Sequence, residues 1–391
     1  MKTKVANSMF FGEKILDFGA SVAPFLVVLL IIVFVHEMGH FLIARYNGVQ
    51  VSTFSIGYGP ELCGFTDKHG TRWRISAIPV GGYVMMLGDA DATSVKQNLD
   101  DVNAEDHNKT LLSKTPLQRI MVSFGGPLFN LLFSILVLAE FGAWKGIPYI
   151  RTSVQSVNVG SVAEKCGLQP GDIITGIAGK SVSKLSEMQK CLKYAAGTDT
   201  EIRFMRGAEE HISPVALYEI AKDGKKVALH ILGVALAGEM VFEQVSVAKA
   251  MLYAVEYCGV YMKSIATGLL KTVIKKKDGI KFGSVFSIGK DLNKSWQQGI
   301  VPLLSYTAVL SLSLAFFNML PIPVLDGGSI FLNTIELIIR RPLSAAAINA
   351  GYTVGLGLVA LIMFVALWND VERFGFIDKA LEFAKRLCGK T

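Results

Sequence analysis

The sequence predicts a multi-span α-helical membrane protein with four transmembrane helices, a membrane-reentrant β-hairpin or sheet, and an inserted α/β domain. Of its 391 residues, 51% are hydrophobic and only 18% are charged, whereas soluble domains carry about 25% charged residues. Four apolar runs are each long enough to cross the hydrocarbon core, which takes about 20 residues of helix. These runs are Phe18–Ala44, Ile120–Ala139, Ile300–Leu325 and Ala345–Trp368.

The first run lies in segment 1–46 and follows lysines 2, 4 and 14, an arrangement that also occurs in signal peptides. It is longer than the apolar region of a signal peptide and has no clear cleavage site of small residues. It also continues through an ionisable motif at 36–40. We therefore interpret it as the first transmembrane helix.

Segment 47–113 is predicted to contain the β element. Residues 62–66 and 71–75 are strand-like and flank a turn at Asp67–Gly70, and residues 89–109 are predicted to form a polar loop. The apolar stretch Ile78–Met86 is too short and too rich in glycine and proline to span as a helix. Non-helical backbone at membrane depth persists only where protein covers it or it lines a wet cavity. We predict that this stretch dips into the membrane; an interfacial loop is the alternative.

The second span occupies 114–144, and segment 147–237 is predicted to be a separate soluble domain. Its pattern gives strands at Val154–Val157 and Ile173–Ala178, a short helix within Gly160–Leu168 and a second helix at Ser186–Ala195. This order, with the turn Gln169-Pro170-Gly171-Asp172 before the second strand, resembles a bacterial-type PDZ domain. The resemblance implies an α/β PDZ domain with a peptide ligand, such as the C-terminus of a substrate.

Four segments complete the chain: an amphipathic membrane-surface region at 238–299 with helical period over Val245–Leu270, the third span at 300–340, the fourth at 345–369, and an amphipathic C-terminal tail at 370–391. Basic residues crowd the span ends on the side that holds 46–113. They are Arg45, Arg72, Arg74, Lys114, Arg119, Arg340 and Arg341. The positive-inside rule predicts that this side is cytoplasmic and that the soluble domain lies on the opposite face.

The net charge of +7 comes from scattered basic residues, which gives no support to nucleic-acid binding. The short run at 275–277 is predicted to be a solvated or headgroup-contacting surface.

There are five cysteines, none in a CxxC pair, and an odd number argues against a full disulfide framework. Buried free thiols are expected, with a Cys166–Cys191 disulfide as the alternative.

The first span contains His36-Glu37-Met38-Gly39-His40, an HExxH pattern. Residues four apart share one helix face, so both imidazoles can reach one metal ion. Glu37 lies beside them and can accept a proton from water. Each charged group in a span costs about 3 kcal/mol, which disfavours a purely structural role for the three residues.

Catalytic zinc usually has three protein ligands, and the remaining histidines all fall outside the predicted spans. They are His69, His107, His211 and His230. Asp326 ends the third apolar run, which crosses in the same direction as the first. The acid and the HExxH motif therefore reach the same depth, and the sequence predicts a metal site made of His36, His40 and Asp326.

The chain around Asp326 is predicted to be unwound, because Pro321, Pro323 and the glycines at 327 and 328 break a helix. Unwound backbone suits the binding of an extended peptide. Asn318 lies in the same span, where it either contacts a substrate or makes an interhelical hydrogen bond.

These motifs together resemble the site-2 protease family, in its bacterial branch of regulated intramembrane proteolysis. The features that carry the resemblance are HExxH in the first span, Asn318-Met319-Leu320-Pro321 followed by Leu325-Asp326-Gly327 in a later span, and a PDZ-like domain between spans two and three. The resemblance extends over about Val22 to Trp368, and Gly125–Asn130 is similar to the second span of the family. Well-known relatives have two PDZ domains where this chain has one, and some carry a second asparagine in place of Ser313.

The resemblance implies a zinc-dependent intramembrane endopeptidase of the bacterial inner membrane, with the zinc site toward the cytoplasm and the PDZ domain in the periplasm. His36, His40 and Asp326 would bind Zn²⁺, Glu37 would be the catalytic acid and base, and the substrate-binding residues would be Asn318, Gly81, Gly82 and Tyr83. Substrates would be single-span membrane proteins such as anti-sigma factors or signal-peptide remnants.

Two other functions explain the sequence less completely. A membrane scaffold built on the PDZ domain leaves the HExxH motif and Asp326 unexplained. A transporter or metal channel fits the broken helix, but no inverted repeat is detectable in the sequence.

Overall fold

The computed structural model describes residues 2–88, 104–220, 226–228, 232–275 and 285–373. The chain forms two compact units, one of residues 1–139 with 251–391 and one of residues 140–250. The helices are α1 (Lys2–Tyr46), α2 (Pro116–Trp144), α3 (Val162–Lys165), α4 (Leu185–Ala195), α5 (Val247–Lys275), α6 (Val285–Gln297), α7 (Ile300–Asn318), α8 (Asp326–Ile339) and α9 (Ala345–Arg373). The strands are β1 (Val51–Thr66), β2 (Arg72–Met86), β3 (Ile147–Ile150), β4 (Val154–Val157), β5 (Ile173–Ile177), β6 (Lys180–Ser181), β7 (Asp199–Arg206), β8 (Glu209–Ala216), β9 (Tyr218–Ile220), β10 (Lys226–Ala228), β11 (Val234–Leu236) and β12 (Met240–Glu243).

Within the described residues, four helices are long and apolar enough to cross a membrane. They are Ala23–Tyr46 of α1, Pro116–Trp144, Ile300–Asn318 and Ala346–Trp368 of α9. This agrees with the four predicted spans. Large apolar side chains such as Leu361 and Phe364 on α9 face outward, as expected of a helix that meets lipid rather than water.

The third apolar run is not one helix. α7 ends at Asn318, residues 319–325 form turns, and α8 begins at Asp326. Pro321 and Pro323 lack the backbone N–H that a continuing helix needs. The break was expected, and it makes Asp326 the first residue of a separate helix rather than the end of α7. Val324, in the turn, has a φ of 98°, which strains a β-branched residue.

β1 and β2 form the predicted hairpin around the turn at Asp67–Gly70, where the Asp67 carboxylate accepts hydrogen bonds from the backbone N–H groups of His69 and Thr71. β2 is longer than expected, since it includes the stretch 78–86. Trp73 lies opposite both Phe54 and Phe65 and stacks on Phe54, with ring centroids 4.5 Å apart. Phe54 is buried in one apolar cluster with Phe41 of α1 and Val122 of α2, which fixes the sheet against these helices. Of the predicted loop at 89–109, residues 104–109 form a 3₁₀ helix and 89–103 lie outside the described residues.

α5 confirms the helical period predicted over Val245–Leu270. Its Ala254 and Cys258 are buried against Leu138 of α2 and Leu312 of α7. The helix predicted to lie on the membrane surface is therefore packed along one face against two candidate spans.

Two predicted features lie outside the described part of the chain: residues 276–277 of the lysine run and most of the predicted tail, 374–391.

The unit of residues 140–250 has a four-stranded sheet in the order β6-β5-β7-β8, with β4–β11, β3–β12 and β9–β10 as further antiparallel pairs. The predicted elements between 154 and 195 are confirmed. Ser161 caps α3, because its side chain accepts from the backbone N–H of Glu164. Cys166 and Cys191 are free, buried thiols, so the alternative of a disulfide between them is wrong.

Candidate metal centre

The two histidines of the HExxH motif project from α1 toward the same point. A helix turns once in 3.6 residues, so positions 36 and 40 lie almost above each other. Their Nε2 atoms are 3.2 Å apart. Both residues are buried, at 8% and 9% exposure, which is rare for imidazoles without a partner or a metal.

Asp326 completes the cluster from α8. Its Oδ2 lies 3.2 Å from Nε2 of His36, and its Oδ1 lies 3.3 Å from Nε2 of His40. The carboxylate stands at the N-terminus of α8, where unpaired backbone N–H groups favour a negative charge. The structure thus brings together the three residues predicted as ligands, with their ligand atoms within 4.8 Å of one another.

The donor set and its spacing fit a zinc ion. Two imidazole nitrogens and a carboxylate oxygen are common zinc ligands, and ligands about 2.0–2.1 Å from a tetrahedral centre are about 3.3 Å apart. Oδ2 of Asp326 is also buried and makes no well-directed hydrogen bond, despite its distance of 3.2 Å from His36. A buried carboxylate oxygen without a partner is costly, and a cation beside it removes that cost.

α2 contacts both imidazoles. Nδ1 of His40 donates to the backbone carbonyl of Val122 at 2.9 Å, which directs Nε2 toward Asp326. Gly126 faces the rings, and a Cβ at this position would lie 2.6 Å from Cε1 of His36 and would also clash with Nε2 of His40. A side chain here would therefore fill the space between the proposed ligands.

Asn130 belongs to the same environment, with Nδ2 3.2 Å from Nδ1 of His36. Sequence reasoning did not select it as a site residue. The feature of the sequence that could have indicated Asn130 is the stretch Gly125–Asn130, which is similar to the second span of a known family.

Glu37 lies beside β2. A Cβ on Gly82 would come 3.2 Å from Cγ of Glu37 and 3.0 Å from Cγ1 of Val33, so the strand passes close to the helix at this point because residue 82 has no side chain. Gly81 contacts Tyr58 instead, and Tyr83 stacks on that ring with centroids 5.8 Å apart. Of the three predicted β residues, Gly82 is thus the one placed against Glu37.

Asn318, the last residue of α7, points at the metal-binding side of the cluster. Its Nδ2 lies 3.2 Å from Nε2 of His36. The contact links α7 to α1, as the interhelical alternative expected. The amide of Asn318 is therefore next to a proposed metal ligand.

Comparison with known proteins places the chain in a family. The family model described as "Peptidase family M50" matches residues 24–362. A protein of Mesorhizobium japonicum, named as a zinc metalloprotease, is 34% identical over 90% of this chain and 99% of its own length. Metalloprotease MmpA of Caulobacter vibrioides is 30% identical over 89% of this chain and 94% of its own length. A solved PDZ domain of an SdrC-like protein from Listeria innocua is 23% identical over 23% of this chain and 96% of that chain, with a TM-score of 0.18.

These relatives settle the class of the protein. It is a membrane metalloendopeptidase, and zinc is its metal cofactor. With the family model spanning most of its length, and relatives above 30% identity covering nearly all of it, this chain belongs to peptidase family M50, the site-2 protease family.

Proposed function

We propose that this metalloprotease cleaves the transmembrane segments of single-span membrane proteins, at a zinc ion held by His36, His40 and Asp326. The observation that carries the proposal is the convergence of these three ligand atoms within 4.8 Å of one another. Both histidines are buried in a candidate membrane span. A hydrolytic centre at that depth suits a substrate that is itself embedded in the bilayer.

Glu37 is the proposed general base. It follows His36 directly on α1, takes a proton from the attacking water and later delivers it to the leaving amine. When bound, zinc polarises the scissile carbonyl and makes water more acidic. His36 and His40 on α1 and Asp326 on α8 hold the reaction centre, so the two helices have to be packed together before a peptide can be cut.

The substrate is proposed to bind as an extended strand. A helix hides its carbonyls, so a transmembrane substrate has to unwind before cleavage. β2 passes Glu37 at Gly82 and can pair with an unwound segment by β-augmentation, while Asn318 donates its amide N–H to a substrate carbonyl. Replacing Gly82 with proline removes a backbone donor and should slow cleavage while zinc stays bound. Wild-type cleavage by this variant would contradict the role of β2.

The proposed location is the bacterial inner membrane, with the zinc site toward the cytoplasm and segment 147–237 acting as a periplasmic PDZ domain. This domain either recruits a substrate C-terminus or excludes substrates with large ectodomains. Deleting 147–237 distinguishes the two roles: cleavage of untrimmed substrates rises if the domain is a filter, and cleavage is lost if it recruits.

The decisive experiment compares Glu37→Gln with Glu140→Gln, a control that neutralises an exposed acid at the far end of α2. The proteins are purified in detergent and assayed for zinc content and for cleavage of a model single-span substrate. Glu37→Gln should retain zinc and lose cleavage, and Glu140→Gln should match the wild type. Purified wild type without stoichiometric zinc, or normal cleavage by Glu37→Gln, would overturn the proposal.

A further inference from the structure

We infer that Asn130 is a positioning residue for His36: its carboxamide oxygen accepts a hydrogen bond from Nδ1–H of the imidazole and so leaves Nε2 free for the metal. This inference rests on the proposed zinc site and goes beyond it, because neither the HExxH motif nor the sequence around Asp326 points to Asn130.

The amide nitrogen of Asn130, rather than its oxygen, faces Nδ1 of His36 in the structure. Nδ2 of Asn130 lies 3.2 Å from Nδ1 of His36, while Oδ1 of Asn130 is buried without a hydrogen-bond partner. An amide that donates to Nδ1 puts the proton of a neutral ring on Nε2, where it blocks metal binding. A rotation of the carboxamide by 180° exchanges its nitrogen and oxygen. Oδ1 then accepts from Nδ1–H, and the lone pair of Nε2 faces Asp326.

The backbone at Asn130 is held firmly enough to aim the side chain. The hydroxyl of Ser134 shares its one hydrogen between the carbonyls of Asn130 and Ala308, at 2.8 and 2.9 Å. The hydroxyl of Ser311 donates to the carbonyl of Asn130 at 3.1 Å. Asn130, Ser134 and Ser311 are each 0% exposed. These bonds fasten α2 to α7 at the residue whose side chain reaches α1.

α2 also contacts the Nδ1 atom of the second histidine, His40. Nδ1 of His40 donates to the carbonyl of Val122, so once the carboxamide of Asn130 is rotated, α2 offers an oxygen to Nδ1 of each imidazole. Partners of this kind fix the tautomer and the ring orientation of metal ligands, and their loss typically costs about 10- to 100-fold in metal affinity. The partner of His40 is backbone, whereas the partner of His36 is a side chain and can be replaced.

The test uses the full chain in detergent and four variants. Asn130→Leu keeps the approximate volume and removes the acceptor, and Asn130→Asp keeps an acceptor oxygen. Thr307→Val is the matched control, because Thr307 is buried on α7 and its hydroxyl donates only to Leu303 of its own helix. His36→Ala removes the ligand itself. Zinc affinity is measured by competition with a chelator, and the zinc-dependent rise in melting temperature is measured in parallel.

Asn130→Leu should bind zinc about 10- to 100-fold more weakly than the wild type and gain less thermal stability from zinc. Asn130→Asp and Thr307→Val should stay near the wild type. Wild-type affinity in a folded Asn130→Leu protein, or equal losses in Asn130→Leu and Asn130→Asp, would overturn the inference. If Asn130→Leu does not fold, Asn130→Ala takes its place with the same expectations. If His36→Ala binds zinc as the wild type does, the zinc site itself is wrong, which is a separate failure.

Discussion

Arg119 of α2 and Glu336 of α8 form a partly buried ion pair, with Nη2 of the arginine 2.5 Å from Oε2 of the glutamate. The other carboxylate oxygen, Oε1, accepts from the backbone N–H of Leu343. Both side chains are well shielded, at 18% and 7% exposure. The pair joins the helix that begins with Asp326 to the helix that supports the two imidazoles, so it fixes α8 at the end opposite its proposed metal ligand.

Removing one partner of this pair should loosen α8. Glu336→Ala leaves the partly buried Arg119 cation without its counter-charge, a loss that costs about 3–5 kcal/mol when the pair is fully buried. We expect faster amide hydrogen exchange along residues 326–339 and weaker zinc retention, both measurable by mass spectrometry. Asp106→Ala, which breaks the more exposed pair with Lys109, should cost less than about 1 kcal/mol. Unchanged exchange in Glu336→Ala would show that the pair does not hold α8.

Filling the space in front of the imidazoles should abolish metal binding. Gly126→Ala places a methyl group against His36 and His40, so the rings have to turn away from Asp326. Zinc content should fall well below one ion per chain when measured on the purified variant. Gly259→Ala on α5 is the control, since a Cβ there meets no atom within 4 Å, and helix propensity favours alanine over glycine by about 1 kcal/mol. Full zinc occupancy in Gly126→Ala would contradict the placement of the ligands.

Acid should destabilise the unit of residues 140–250 through Asp172. Burial raises the pKa of this carboxyl, but hydrogen bonds from the Arg206 guanidinium and from the backbone N–H of Gln169 outweigh burial and bring the pKa below its ordinary value. A lowered folded-state pKa gives stability that is present above the unfolded pKa of about 4 and is lost as the pH falls toward the folded pKa.

The measurement is hydrogen exchange of peptides from β5 and β7 in the full chain, at pH values from neutral down to about 3. Asp172→Asn should cost about 2 kcal/mol at neutral pH and should lose less stability than the wild type on acidification. Parallel pH profiles for the two proteins would rule out Asp172 as the source of the acid sensitivity.

Relieving the strained turn before Asp326 should stabilise the protein. Val324 has a φ of 98° and is 38% exposed, so little packing is lost when it is replaced. Asparagine tolerates this conformation better than valine, and strain of this kind is worth about 1–3 kcal/mol. Val324→Asn should therefore raise the melting temperature. Val159→Asn, at an exposed position without a positive φ, should not. A lower melting temperature for Val324→Asn would show that valine makes contacts here that outweigh the strain.

Local sequence patterns were enough to predict the candidate spans and the three residues that converge in the candidate metal centre. Hydropathy located the four long helices, because the match between apolar length and bilayer thickness is a local property. The grouping of His36 and His40 followed from helical period, and the break before Asp326 followed from Pro321 and Pro323. Asp326 itself was found by combining span direction with the exclusion of other histidines, so its assignment needed only a topology.

Features that depend on packing between distant segments were missed. Asn130 becomes relevant only when α2 lies against α1, and nothing in its neighbourhood along the chain specifies that contact. The continuity of β2 through Pro79 and the glycines at 81 and 82 was also missed, because the stretch 78–86 was predicted as a separate β element that dips into the membrane. Pairing with β1 carries the strand through them, and Gly82 is required there by the nearby helix rather than by a turn.

The proposed zinc ligands are synthesised far apart in time, because two lie near the start of the chain and one lies near its end. His36 and His40 emerge early from the ribosome, and Asp326 follows only after the second span and the 140–250 unit have been made. A chain interrupted before α8 therefore carries the HExxH helix without the third proposed ligand. On this proposal, the zinc site is assembled only late in synthesis, once α8 can pack against α1.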